Sequence, residues 1–494
     1  YSFGYGAMSP EQLIEELKAG GYDGFALTDI NNTAAALEIL RQTQKQNTRP
    51  VCGIDFRNGI QQKYIGIAKN NTGYYELNQH LTKYLHQEND FPTRAPGFDN
   101  AFVIYPFRSE LSELRENEFI GVSPNDLKKL NFTPWKNRPE KLVILYPVTF
   151  RHKRDFNTHR LLRAVHENML LSKLPSSQQA TMNEKLLPKE ELLHIYRDHS
   201  QIIENTEQLM DECFMGFDFQ KKKNKKYFSG SEATDYELLK REAEKGLKYR
   251  YPNPQPNILE RLRKELNVIR KFGFCSYFLI NWDIVNYAHS KGYYHVGRGS
   301  GANSLVAYLL RITNVDPVEL DLYFERFINP FRKNPPDFDI DFSWTDRDDV
   351  TRYIFEKHGY EHTALLGSYI TFNHKSAFRE LGKVFGLPED EIARLQKNPN
   401  PDEADEYGKW VIRYSKYLEG FPRHLSVHAS GIVISELAMT NYSGTFMPPK
   451  GFPTTQFDMY IAEDIGLHKF DILGQRGLGK IKDSLEFIRQ NRGV

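Results

Sequence analysis

Residues 335–342 read PPDFDIDF, with Asp337, Asp339 and Asp341 at every second position and Phe338, Ile340 and Phe342 filling the gaps. Such alternation predicts a β-strand, because successive side chains of a strand point to opposite faces. The apolar residues then enter a core while the carboxylates share the other face, roughly 6–7 Å apart. Adjacent pairs would repel by roughly 2–3 kcal/mol at an effective dielectric of about 20. An edge strand with its polar face in water tolerates this. A strand locked in place by bulky Phe-x-Ile-x-Phe packing needs a counter-charge. Magnesium, an oxygen-seeking cation held by one or two carboxylates plus substrate phosphates, supplies one. Two ions about 3.5–4 Å apart can together serve one displacement reaction.

Two further stretches extend this chemistry. GRGSGANS, residues 297–304, runs into the apolar SLVAYLL. Glycines let backbone pack around an anion, and N–H groups at a helix start point towards it. Arg298 adds a planar cationic fork suited to phosphate. A structural turn explains most Gly-rich segments, but one lying some forty residues before a paired-aspartate strand matches the layout of a nucleotidyltransferase. Near the C-terminus, HKFDILG places Asp471 between Phe470 and Ile472, with Lys469 two positions before it. Asp471 is a candidate third acid, and Lys469 a candidate partner for phosphate.

With 494 residues the chain exceeds what one core supports, about 250–300 residues, so several domains are expected. Its 65 Lys and Arg against 64 Asp and Glu leave a formal charge of +1, which excludes a global basic excess but not a local basic channel. Cys52, Cys213 and Cys275 form neither a zinc pattern nor a disulfide framework, so a reducing, cytoplasmic setting is the default expectation. No apolar run is long enough to span a membrane, and YSFGYG is not a signal peptide. The missing initiator Met leads us to expect a processed or partial chain.

Residues up to about 215 alternate strands and helices. SPEQLIEELKAGG carries a capping box from Ser9 and Gln12 with Pro10 in the first turn. GFALTD, RPVCGIDF, YIGIAK and KLVILYPVTF read as strands, and NNTAAALEILRQTQKQN as a helix. An α/β domain with a largely parallel sheet or barrel is predicted. The run Lys221, Lys222, Lys223, Lys225, Lys226 reads as a solvated linker.

Six motifs taken in order, GRGSGANSLVAYLLRITNVDPVELDLYFERFINP, PPDFDIDF, ITF, HASGIVI, TTQFD and KFDILG, closely resemble the family C DNA polymerases, the alpha subunits of bacterial DNA polymerase III. The resemblance implies a multidomain α/β and α+β chain. Its parts would be a PHP-type, barrel-like α/β domain (1–215), a polymerase-beta-like nucleotidyltransferase palm (216–373 and 441–476), a mainly helical inserted thumb (374–440) and the start of fingers (477–494). It implies template-directed addition of deoxynucleotides to a primer 3′-hydroxyl. Asp339, Asp341 and Asp471 would be catalytic and metal-holding, with two Mg2+ ions. Asp337 would play a supporting role, and Arg298, Gly299, Ser300 and Lys469 would bind nucleotide. Implied partners are primer-template DNA, deoxynucleoside triphosphates, a sliding clamp and other replisome subunits, among them a proofreading exonuclease at the PHP domain, with no membrane. Lys375 and Arg379 could touch the duplex backbone or simply form a solvated helix face.

The PHP region departs from the family pattern. The N-terminal H-x-H is absent, T-D-H becomes Thr28-Asp29-Ile30, Asp55 stands for a glutamate, and YPVTF offers no ligands, leaving scattered His152 and His159. A structural role without an active metal cluster is expected there. The alternatives are a PHP-type metal-dependent phosphoesterase or a silent replisome scaffold. Because the family's later domains have no counterpart before Val494, weak polymerisation by this polypeptide alone is also an expectation.

Overall fold

The computed structural model describes residues 2–44, 48–108, 111, 113–329 and 337–493. Pro335 and Pro336 of the opening stretch, Pro330 of the long Gly-rich motif, and residues 45–47 of the predicted second helix lie outside the described residues. The chain divides into two compact units, one of residues 1–217, 367–426 and 440–446, the other of 218–366, 427–439 and 447–494.

The first unit carries a six-stranded sheet in sequential order: β1 (Gly24–Ile30), β2 (Arg49–Asn58), β3 (Gln61–Ala68), β4 (Ala101–Pro106), β5 (Glu118–Val122) and β6 (Leu142–Ile144). The Ser9–Gln12 capping box forms as predicted, with Ser9 N–H donating to Gln12 Oε1 at 3.1 Å. The sheet is mixed rather than largely parallel. β1–β2, β4–β5 and β5–β6 run parallel, while β2–β3 and β3–β4 run antiparallel. Only Gly59 and Ile60 separate β2 from β3, with Gly59 at φ 56°, so no crossover helix fits there and a hairpin results. β6 is also shorter than KLVILYPVTF suggested, ending at Ile144 ahead of Pro147.

Residues 367–426 group with this first unit. The helices His374–Phe385 and Glu406–Leu418 share one apolar core with the helix Lys153–His166. Phe378, Leu381, Val411 and Leu418 close over Leu161, Leu162 and Val165.

In the second unit, β7 (His295–Arg298), β8 (Asp339–Ser343), β9 (Thr363–Thr371), β10 (Pro422–Ile434), β12 (Thr454–Thr455) and β13 (Lys469–Gln475) form a sheet; β11 (Thr445–Phe446) is a two-residue strand. β9 and β10 continue along the chain beyond the unit boundary, and β11 falls in the first unit's share. Within the second unit the order is β12-β9-β10-β13-β8-β7. Its core gathers Phe338, Ile340 and Phe342 from β8 and Phe470 and Ile472 from β13 against the helix Cys275–Ser290. The Tyr277 ring stacks on Phe338 at 5.6 Å and on Phe470 at 4.9 Å.

The lysine run is not a solvated linker. Lys223 N–H donates to Gly466 O, Lys225 N–H to Ile434 O, and Asn224 exchanges two 2.7 Å hydrogen bonds with His468 backbone. The backbone is thus tied down, and two of the ammonium tips are engaged as well: Lys222 donates to Phe272 O at 3.1 Å and Lys223 to Asp218 O and Lys221 O.

Candidate functional site

Alternation on β8 sends Phe338, Ile340 and Phe342 inward, each at most 2 % exposed, and sets Asp339 and Asp341 on the opposite face. The strand begins at Asp339, so Asp337 is exposed and precedes it instead of forming a third step of the row. The acids are joined by a row running across four strands. Gly431 of β10 pairs with Asp471 of β13, Asp471 with Asp339 of β8, and Asp339 with Arg298 of β7. Residues in register on adjacent strands share a face. Asp339, Asp341 and Asp471, some 130 residues apart in sequence at the extremes, therefore meet on one surface of the second unit.

The counter-charges are side chains. Arg298 bridges two aspartates, donating from Nη1 to Asp339 Oδ2 at 3.1 Å and from Nε to Asp341 Oδ2 at 2.8 Å. Lys469 Nζ donates to Asp471 Oδ2, and Ser430 Oγ donates to Asp471 Oδ1 at 2.6 Å. Gln475 Nε2 approaches Asp341 Oδ1 at 3.4 Å. Burial raises the Asp339 carboxyl above its usual range. Arg298 and Lys469 draw it down, while Asp471 and Asp337 push it up. Lys469 is held above the ordinary ammonium range: burial alone would lower it, but the hydrogen bond and charge of Asp471 prevail. Among the described residues no group of three or more His, Cys, Asp or Glu side chains stands arranged as a metal site.

The Gly-rich turn lies beside this cluster. Gly299 sits at φ +80°, in the left-handed region that favours glycine, and a Cβ there would meet Asp339 Oδ2 at 3.2 Å. Ser300 follows in the same 3-10 turn, Gly299–Asn303. The helix start expected to face an anion is capped from within. Ser304 accepts from Ala307 N–H and donates to buried Glu265, whose Oε2 also accepts from Val306 N–H at 3.1 Å. A protein carboxylate, itself paired with Arg261 at 3.0 Å, takes the helix N–H groups, so what faces the aspartates is the turn and Arg298.

Ser430 and His428 had no assigned role in the sequence. His428 Nδ1 accepts from Gly431 N–H at 2.9 Å and from Ser430 N–H at 3.3 Å, shaping the segment that delivers Ser430 to Asp471. HASG was visible as a motif, but its partner depends on strand pairing. Arg347 ties the same two strands, donating to Ile472 O and Ala429 O at 2.9 Å each.

In the first unit the PHP-region residues take other duties. Asp55 Oδ2 accepts from Arg57 Nε at 2.8 Å and Nη2 at 2.6 Å, and its Oδ1 accepts from Gln62 at 2.9 Å. Ile30 is the ladder partner of Asp55, and Ser2 Oγ donates to Asp29 at 2.8 Å. His159 bonds Tyr5 O through Nδ1 at 2.6 Å and accepts from Ala180 N–H through Nε2 at 2.8 Å. His152 caps its helix, accepting from Asp155 N–H.

Two family profiles match the sequence: "Bacterial DNA polymerase III alpha NTPase domain" over residues 237–474 and "PHP domain" over residues 1–124. The DNA polymerase III subunit alpha of Bacillus subtilis (strain 168) is 30% identical across 100% of this chain and 49% of its own length. That of Streptococcus pyogenes serotype M1 is 31% identical across 100% and 49%, and that of Escherichia coli (strain K12) 28% across 100% and 48%. The chain spans about half the length of these curated relatives. The chain is thus similar along its whole length to the first halves or so of bacterial DNA polymerase III alpha subunits, with one profile on its N-terminal quarter and the other on 237–474.

Proposed function

We propose that the second unit is the palm of a DNA-directed DNA polymerase. It would extend a primer 3′-hydroxyl with deoxynucleoside triphosphates on a template strand. The observation that carries this is the row Asp471–Asp339–Arg298 with Asp341 beside it, on a sheet face whose reverse side is locked by Phe338, Ile340, Phe342 and Phe470. Hard carboxylate oxygens on adjacent strands suit Mg2+. Bound there, a pair of such ions would favour the 3′-alkoxide and neutralise charge on departing pyrophosphate.

The side chains divide the remaining work. Asp339, Asp341 and Asp471 would hold the divalent ions, with Ser430 keeping one Asp471 oxygen committed so that the carboxylate cannot rotate freely. Arg298, Gly299, Ser300 and Lys469 receive the triphosphate; Gly299 lets a phosphate come close to Asp339, where any Cβ would crowd it. As the 3′-oxygen bonds to the α-phosphorus, the bond to the β-phosphate oxygen breaks and pyrophosphate leaves. Residues 374–440, with Lys375 and Arg379 exposed on one helix, would serve as a duplex-gripping thumb, although Arg379 is engaged with Glu380 at 2.9 Å. The PHP region would be structural, because Arg57 and backbone groups occupy Asp55 and His159. Sliding clamp, proofreading exonuclease and other replisome subunits are the partners this reading implies.

The test is primer extension on a primed template with Mg2+ or Mn2+, by this chain extended with the half of its relatives' length that it does not span, run beside a simple phosphoester substrate. Asp341→Asn is expected to lower extension by at least about a hundredfold, beyond what loss of a mere supporting hydrogen bond to a metal ligand costs. Extension unaffected in an Asp339→Asn, Asp341→Asn double variant would sink the assignment. Phosphoester cleavage abolished by Asp55→Asn would move the chemistry to the first unit.

A further inference from the structure

We infer that Arg298 is a built-in occupant of the divalent-ion position, displaced when metal enters and handed over to the incoming triphosphate; this rests on the palm assignment above. Each aspartate has its Oδ2 against a side-chain cation: Asp339 and Asp341 against Arg298, Asp471 against Lys469. The other oxygen of Asp471 is held by Ser430, and that of Asp341 faces Gln475. Arg298 thus covers one oxygen of each of Asp339 and Asp341, two of the three acids to which the palm reading gives the divalent ions. This also answers how the fold tolerates aligned carboxylates, since the guanidinium fork fits two of them at once.

Arg298 is placed to leave. Its side chain is 45% exposed, its partners are reached only by its tip, and it sits at the end of β7 next to the Gly299 turn. The Asp339 arm of the contact is half open to water, whereas Asp341 is 9% exposed, so Arg298 leaves only when another cation takes over the Asp341 carboxylate. Once released, the guanidinium needs an anion, and phosphate oxygens take it bidentately. Metal alone must then expel Arg298 into water, whereas metal arriving with a triphosphate gives it a new partner. Binding of the two is positively coupled through this one side chain, and by linkage the coupling is reciprocal.

Mn2+ alone is the probe, titrated into the 494-residue chain and followed by the paramagnetic signal of the free ion. Arg298→Ala and Arg298→Gln are both expected to bind Mn2+ roughly tenfold tighter than wild type, since removal of an adjacent positive charge favours the neighbouring site. Arg298→Lys, which keeps a competing charge, stays near wild type. Lys482→Ala removes a cation paired instead with Asp346 at 2.6 Å and is also expected to stay near wild type. Circular dichroism confirms that each variant is folded. Unchanged or weaker Mn2+ binding in both neutral Arg298 variants overturns the proposal, as does an equal gain in Lys482→Ala or in Arg298→Lys. If instead Asp339→Asn, Asp341→Asn leaves Mn2+ binding untouched, the ion sits elsewhere and the palm assignment itself fails.

Discussion

Each unit holds aspartate against arginine on a β-sheet, and the two arrangements behave differently because of where water is. In the first unit Asp55 and Arg57 lie two residues apart on one strand, their side chains 6% and 11% exposed. In the second, Arg298 reaches from β7 across to Asp339 and Asp341, with Arg298 45%, Asp339 26% and Asp341 9% exposed, so the difference lies in the cation and in Asp339. The buried pair is closed: Gln62 takes the second oxygen of Asp55, and the guanidinium lies over the Tyr5 ring at 5.0 Å. The open one leaves the cation in solvent. An arginine in solvent can change partners, whereas one enclosed with its carboxylate is fixed in the packing of the sheet.

The sharpest way to break this contrast is Arg57→Ala. Removing one partner leaves Asp55 charged, buried and short of donors, which should cost about 3–5 kcal/mol. With two compact units, global unfolding need not be two-state. Amide exchange of β2 and β3 followed by mass spectrometry is therefore the measurement, and protection there should collapse while β8 and β13 hold. The double change Asp55→Ala, Arg57→Ala should restore much of the loss. A shift below about 1 kcal/mol would place the pair among ordinary solvated surface pairs.

Next in size is the pH dependence of the same unit. His159 is pushed down from 6.5 to about 4, first by burial and then by Arg163, Arg160 and Arg57, against the hydrogen bond to Tyr5 O. Its Nε2 accepts from Ala180 N–H, so the neutral ring is the native form. Because the folded value lies below the unfolded one, the unfolded chain binds the proton first as pH falls. The contribution is complete above pH 6.5 and is lost progressively towards pH 4, at most about 3 kcal/mol in all. Exchange protection of the helix Lys153–His166 should fall over that window, and His159→Gln should flatten that part of the profile. An unchanged profile in the variant would assign the effect to other histidines, such as His80, also pushed down to about 4 by burial.

How much of this was legible beforehand follows from the range of the interactions. The DFDIDF alternation announced a strand, its buried face and its acids, since period-two patterning is local. The capping box at Ser9 is likewise a matter of four consecutive residues. What could not be read was who neutralises whom. Arg298 meets Asp339 and Asp341 only because β7 lies antiparallel beside β8, and Ser430 meets Asp471 only because β10 lies beside β13. The helix after the Gly-rich turn looked open to an anion because its cap, Glu265, comes from a helix forty residues earlier. The lysine run looked like a linker because composition reports side chains, whereas its backbone bonds decide its place.

The smallest expected effect is the most discriminating, because it applies one chemical change to both places and predicts opposite signs. Asp55→Asn removes the charge that Arg57 is buried against and should destabilise the first unit. Asp339→Asn removes a carboxylate that burial, Asp471 and Asp337 all disfavour in its charged form. A carboxyl raised in the folded state stabilises most when protonated and loses that contribution as pH rises through its folded value, so at neutral pH the charged Asp339 works against the fold. Its exposure and its bond to Arg298 soften the effect, and Asp339→Asn should lie within about 1 kcal/mol of wild type, on the stabilising side. Amide exchange on β8 at neutral pH reads it directly, and the gain should vanish in acid, where wild-type Asp339 is itself protonated. A clear loss of protection on β8 would mean that Asp339 is held for stability rather than kept, at a cost to stability, for its chemistry.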